Sequence, residues 1–199
     1  MKIKICGLSR REDVAYVNQT RPDWCGFVID CPKSRRNVSG EQAAALRAEL
    51  APGIVPVGVF VDRPVDQVAG LLLDGTIAVA QLHGGEDEGY LAALRDAAPG
   101  CVLWRAFRVR SREDLVSAAA SSADLVVLDN GAGTGQVFDW SLLKGFPRPY
   151  LLAGGLTPDN LPQAAALGPF GVDLSSGVET DGKKDEAKIL AAVAAARRV

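Results

Sequence analysis

Four short stretches carry side chains that can do chemistry. The first, "KIKICGLSR" (2–10), ends an alternating apolar run on Cys6 and turns at once on Gly7. A cysteine in that place has four readings: a small buried hydrophobe, a metal ligand, a disulfide partner or a reactive thiol. Two others, "LLAGGLTPDN" (151–160) and "GVDLSSGVE" (171–179), each run an apolar segment into small residues. Gly154 and Gly155 let backbone N–H groups approach an anion, and a helix opening at Thr157–Pro158 adds positive potential. Ser175, Ser176 and Gly177 bring hydroxyls and amides that can donate to phosphate oxygens. Either loop alone reads equally as a plain glycine-rich turn; the two together point to a phosphate grip. The last stretch, "CPKSRRNVSG" (31–40), is basic through Lys33, Arg35 and Arg36. An arginine there can hold a carboxylate through two parallel hydrogen bonds, while the remaining cations form a solvated loop.

Elements that would position these groups recur along the chain. Strands are expected at 2–6, 25–29, 54–60, 77–82, 101–107, 125–129, 149–154 and 170–175. Helical spacing of apolar residues marks the segments between them, such as "EQAAALRAEL", "VDQVAGLLL", "YLAALRDAA" and "REDLVSAAA". Ser9 with Glu12 and Ser39 with Gln42 fit capping boxes, Ser111 precedes an acidic first turn, and Thr157 before Pro158 fits an N-cap. The stretch from Phe138 to Gly145 is the weakest helix, and "DEAKILAAVAAARRV" suits a final one. Eight strands alternating with eight helical segments predict a single (β/α)8 TIM barrel over residues 1–199. An open doubly wound sheet is the alternative, without its usual G-x-G-x-x-G fingerprint. Both folds place ligands at the C-terminal ends of strands.

Side chains alternate across a strand. Ile3 and Ile5 share one face, so Lys4 and Cys6 are expected to look into the bore. The same parity argument brings in Gln81 with His83, Arg105 with Phe107, Asp129 at the end of the sixth strand and Asp173 in the eighth. Unpaired buried charge is costly, so this is either a polar plug of ion pairs or a site.

Composition narrows the classes. The 199 residues are 48% hydrophobic and 23% charged, which is ordinary globular protein. A net charge of −2 from 22 basic and 24 acidic side chains argues against a nucleic-acid or membrane-surface binder, though not against a local basic pocket. No run approaches the roughly 18 apolar residues of a membrane span, and "MKIKICG" is too strand-like for a signal peptide. A cytoplasmic location is expected. Cys6, Cys25, Cys31 and Cys101 form no C-x-x-C pair, and His83, the single histidine, has no cysteine near it, so no zinc site of usual spacing is expected. Disulfides are not expected in such a compartment. Cys25 and Cys101 read as buried small hydrophobes.

The motifs, taken in order, resemble the phosphoribosylanthranilate isomerase family. The matching stretches are "KICGLSR", "GFV" with "PKSRRNVS", "VGVFV", "QLHG", "RAF", "LDN" with "GTGQVFDW", "LLAGGLTPDN" and "GVDLSSGVE" with "GKKD". They cover nearly the whole chain. The resemblance implies an Amadori rearrangement, in which an N-phosphoribosyl aromatic amine becomes a 1-amino-1-deoxyribulose phosphate in tryptophan biosynthesis, with no metal or organic cofactor. It implies Cys6 as general base and Asp129 as general acid. It implies an arginine of the second loop on the anthranilate carboxylate, with Arg36 fitting best and Arg35 possible. Gly154, Gly155, Ser175, Ser176 and Gly177 would hold the phosphate. Lys4, His83, Arg105 and Asp173 would line the substrate, Asp173 orienting a sugar hydroxyl. Lys4 is expected to lower the Cys6 pKa from its ordinary value near 8.5, and desolvation to raise that of Asp129. The expected partner is the small-molecule substrate, with no nucleic acid or membrane, and the chain is expected to act as a monomer.

Some positions depart from the family pattern. Ala132 stands where a second glycine is common, in a short loop after the sixth strand. Asp30 and Cys31 replace an aromatic or apolar pair, and Ser9 replaces a threonine cap. The alternative enzyme is the related isomerase of histidine biosynthesis, whose substrate has two phosphates and which uses two aspartates. The segment after "QLHGGE" lacks a second Gly/Ser phosphate loop. A phosphate-ligand sensor or an inactive barrel would be expected to lack the acid or the base.

Overall fold

The structure is a computed structural model that describes residues 1–129 and 139–199. Eight parallel strands form one ring: β1 (Lys2–Cys6), β2 (Trp24–Ile29), β3 (Val55–Phe60), β4 (Val79–Leu82), β5 (Val102–Arg108), β6 (Leu125–Asp129), β7 (Tyr150–Ala153) and β8 (Gly171–Leu174). Each pairs with its neighbours in chain order, and β1 pairs with both β8 and β2, which closes the barrel. The register sets Lys4 against Asp173 on β8 and Cys6 against Gly26 on β2. Around the ring run α1 (Arg11–Thr20), α2 (Gly40–Ala48), α3 (Val65–Leu73), α4 (Glu88–Ala97), α5 (Arg112–Ala120), α6 (Leu161–Ala165) and α7 (Glu186–Arg198). The sixth connection contributes the 3-10 turn Trp140–Leu143. Ala132 and Phe138, singled out above, lie outside the described residues.

Strand alternation divides the core in two. Ile3, Ile5, Phe27, Ile29, Ala80, Leu82, Val172 and Leu174 face outward and pack under the helices. Val57, Val79, Trp104, Leu125, Val127, Leu151 and Ala153 face inward as an apolar plug, with Trp24 standing edge-on to Trp104 at 5.2 Å between ring centroids. Bulky residues fill the lower bore, so the barrel is solid there and polar side chains have room only above. Five successive strands, β3 to β7, repeat this division, which is why a period-two apolar pattern sufficed to locate the strands.

Helix starts follow the sequence where serine does the capping. The Ser39 hydroxyl accepts from the Gln42 amide at 3.1 Å, and Gln42 Oε1 accepts from the Ser39 amide at 2.8 Å. Two starts differ from expectation. At α1 the carboxylate of buried Asp13, not Glu12, accepts the amides of Ser9 and Arg10 at 2.9 and 3.1 Å, and Arg10 is the N-cap. Glu12 faces solvent, so only Asp13 can turn back onto the chain. After β7 the helix begins at Leu161 instead of Pro158. The Asn160 amide side chain accepts from Thr157 N–H and donates to Gly155 O, both at 2.9 Å, and holds residues 157–160 as a turn.

Candidate active site

A cavity of about 260 Å³ opens at the C-terminal ends of the strands. Its wall includes Cys6, Cys31, Arg36, Gln81, His83, Asp129, Gly154, Gly155, Asp173, Ser175 and Ser176. Parity brings these groups together. On β4, Val79 joins the apolar plug, so Gln81 and then His83 rise above it on the same face. On β6, Leu125 and Val127 do the same for Asp129. His83 Nε2 lies 3.3 Å from Asp129 Oδ2.

Cys6 turns into this cavity because of its neighbours. Gly7 has φ +82°, and a Cβ there would collide with the Arg36 side-chain stem. The glycine thus lets the second loop lie across the end of β1. Below Cys6, Lys4 is fully buried and donates from Nζ to Asp173 Oδ2 at 2.8 Å. Burial pulls Lys4 down, but Asp173 and Cys6 outweigh it, so the ammonium stays charged. For Cys6 the balance runs the other way. Burial pushes the thiol up and Asp173 adds to that; Lys4 and Lys184 pull it down without cancelling it. The expectation of a net downward shift from Lys4 is therefore corrected: Lys4 acts in that direction, but desolvation wins.

Arg105 is not brought into the cavity. Trp104 and Ala106 take the inward positions of β5, which turns Arg105 outward with Leu103 and Phe107. Its Nη1 donates to Glu88 Oε1 on α4 at 2.9 Å, and its guanidinium lies 4.9 Å from the Phe107 ring centroid. Both faces of "CVLWRAF" are largely apolar, so alternation alone did not separate them. Cys101 is half-buried, whereas Cys25 is fully buried with its thiol pushed up to about 12 by burial.

In the second loop Arg36 lines the cavity, while Arg35 and Lys33 are exposed. Arg36 donates through Nε to Glu179 Oε1 at 2.6 Å and through Nη2 to Glu179 Oε2 at 2.8 Å. Arg35 Nη2 also reaches Glu179 Oε2 at 2.6 Å.

The two glycine- and serine-rich loops meet beside Cys6. Gly154 and Gly155 have φ of +86° and +68°, a consecutive left-handed pair that side-chain-bearing residues seldom adopt. The Ser175 hydroxyl donates to Cys6 O at 3.1 Å, which ties the eighth loop to β1. Gly177 differs from expectation: it does not line the cavity, and a Cβ there would overlap the carbonyl of Leu156. Its role is to let the two loops touch. The opening at Thr157–Pro158 is a turn, so the short α6 does not aim its first turn from there.

Sequence reasoning assigned no role to Glu179 or Lys184. Both are buried, and Lys184 Nζ donates to Glu179 Oε1 at 2.8 Å and Ser175 O at 3.0 Å. The signal was the pair of charged residues flanking Asp181–Gly182, a two-residue turn that makes a hairpin and so places its flanks face to face. Two buried acceptors, Gln81 Oε1 and Asp173 Oδ1, have no partner among the described residues.

Residues 3–195 match the model of the family described as N-(5'phosphoribosyl)anthranilate (PRA) isomerase. The chain is 45% identical over 198 residues to N-(5'-phosphoribosyl)anthranilate isomerase of Endomicrobium trichonymphae, covering 96% of each chain. It is similar to the crystal structure of phosphoribosyl anthranilate isomerase from Thermotoga maritima, with TM-score 0.89, 31% identity and 100% of both chains covered. It is also similar to a crystal structure of such an isomerase in complex with reduced 1-(o-carboxyphenylamino)-1-deoxyribulose 5-phosphate, with TM-score 0.87, 30% identity and 100% of both chains covered.

Proposed function

The chain belongs to the N-(5'-phosphoribosyl)anthranilate isomerase family, and we propose that it performs this family's rearrangement with Cys6 as base and Asp129 as acid. It is an isomerase of tryptophan biosynthesis. The observation that carries the mechanistic reading is one cavity bounded by Cys6, Asp129, Arg36 and both small-residue loops. The phosphate sits against Gly154, Gly155, Ser175 and Ser176, and the anthranilate carboxylate faces Arg36. Sugar hydroxyls answer the two unpartnered acceptors on Gln81 and Asp173, since a buried acceptor without a donor is costly.

Asp129, with His83 beside it, protonates the furanose ring oxygen and the ring opens to an iminium. The iminium makes the C2′ proton acidic, and the Cys6 thiolate removes it. The enolamine then tautomerises to the ketone. Asp129 loses one proton and Cys6 gains one, so solvent exchange restores both. As proposed, the reaction moves protons alone. Lys4 keeps a positive charge beneath Cys6 that favours the thiolate when it forms.

The loops after β3 and β4 weigh against a substrate with two phosphates. The Gly84 amide donates to Glu86 Oε2 at 2.7 Å, and the Gly85 amide donates to Asp62 Oδ1 at 2.6 Å. Carboxylates already occupy the amides a second phosphate would need, and they would repel it. Among the described residues no helix is long and apolar enough to cross a membrane.

Turnover of both sugar phosphates by purified protein tests the reading. Conversion of N-(5'-phosphoribosyl)anthranilate without added cofactor, and none of the bisphosphate substrate, is expected. The reverse preference would overturn it.

A further inference from the structure

An arginine guanidinium has two forks. One is made by Nε–H with an N–H of one terminal nitrogen; the other is made by the two terminal nitrogens at the far end. In Arg36 the first fork is filled by Glu179, at 2.6 and 2.8 Å. Among the described residues no acceptor takes Arg36 Nη1, and Arg36 is on the cavity wall. The end-on fork is therefore the one available to a ligand. Its direction is set by two fixed points: the stem passing over Gly7 and the carboxylate of Glu179.

Glu179 is itself held firmly. It begins a two-strand hairpin, Glu179–Thr180 with Lys183–Lys184, in which Glu179 pairs with Lys184. The turn residues Asp181 and Gly182 have φ of +50° and +77°, the left-handed pair of a tight hairpin. Lys184 Nζ grips Oε1 at 2.8 Å, Arg35 grips Oε2 at 2.6 Å, and Lys188 Nζ donates to the Glu179 carbonyl at 2.7 Å. One buried carboxylate thus faces three side-chain cations, Arg35, Arg36 and Lys184. That leaves the local charge positive and able to accept a second carboxylate.

We infer that Glu179 is a positioning residue that aims the end-on fork of Arg36 at the substrate carboxylate, and so sets the preference for an acidic aromatic amine. The inference rests on the rearrangement proposed above. Glu179 touches no reacting atom; it acts through Arg36. A purely structural ion-pair network would instead affect every substrate alike.

The test is steady-state kinetics of Glu179→Gln with N-(5'-phosphoribosyl)anthranilate and with N-(5'-phosphoribosyl)aniline, which lacks the carboxylate. The ratio of the two kcat/KM values should fall about tenfold, through a higher KM for the carboxylated substrate, the loss expected when one charge-assisted hydrogen bond is misaligned. The kcat/KM for the aniline substrate should stay within about threefold of wild type. If Glu179→Gln does not fold, Glu179→Asp is measured in its place; it keeps the charge but retracts the carboxylate by one methylene, and a fall in the same ratio is expected. A wild-type ratio in the folded variant overturns the inference and leaves the isomerase reading intact. Wild-type protein that turns over neither substrate overturns the isomerase reading and this inference with it.

Discussion

In the proposed mechanism Cys6 is the base, and it rests as a thiol. Burial pushes its pKa up, and the nearby cations Lys4 and Lys184 restrain that rise without reversing it. The active form is the thiolate, so an upward shift lowers the active fraction at neutral pH. The reaction also needs Asp129 protonated, and the two groups share one proton in the active form, so kcat/KM should stay level through neutral pH and fall only as pH rises above the ordinary thiol range near 8.5. A kcat/KM that keeps rising through that range would contradict this. The inward direction of Cys6 was legible because Ile3 and Ile5 mark the opposite face. The sign of its net shift was not, because it depends on groups brought close only by the fold: Asp173 from the far end of the chain and the enclosing second strand. Arg105 was misplaced for a different reason. Nothing in "CVLWRAF" tells which of two mostly apolar faces meets the helices; the packing of Trp104 into the plug against Trp24 decides it.

At the scale of elements, the site depends on strands and loops approaching where side chains are missing. Gly26 on β2 is opposite Cys6 in the register. A Cβ at Gly26 would lie 2.8 Å from Cys6 Sγ and 2.9 Å from Lys4 Nζ, closer than real contacts allow. Gly26→Ala should therefore displace the base and lower kcat at least about tenfold, since small misplacements of catalytic groups are costly. Far-UV circular dichroism should still show the barrel. Wild-type kcat in that variant would contradict the packing described. Element positions were largely legible, because strand alternation and helical spacing are strong signals in a parallel barrel. Helix starts were legible where a serine and glutamine cap each other, as at α2, and not where Asp13 or Asn160 reaches back from inside. The Glu179–Lys184 pairing went unread because the meaning of a buried carboxylate depends on the loop it meets, more than 140 residues earlier in the chain.

The whole molecule separates stability from chemistry along the barrel axis. The plug around Trp104 fills the lower bore, and the polar cavity lies above it. Trp104→Ala should lower unfolding free energy by about 3–5 kcal/mol, the cost of emptying a large buried aromatic site, as read by urea denaturation. A loss below about 1 kcal/mol would show that the plug does not bear on stability. β1 and β6 are three strand positions apart around the ring through β8 and β7, so Cys6 and Asp129 approach a bound sugar from different sides of the mouth. The proposed two-sided proton transfer is tested by kcat and KM for N-(5'-phosphoribosyl)anthranilate with Cys6→Ala and Asp129→Asn. Each variant should lose roughly 10²–10⁴-fold in kcat, with KM changed only severalfold. Activity of either variant within about threefold of wild type would contradict its assignment.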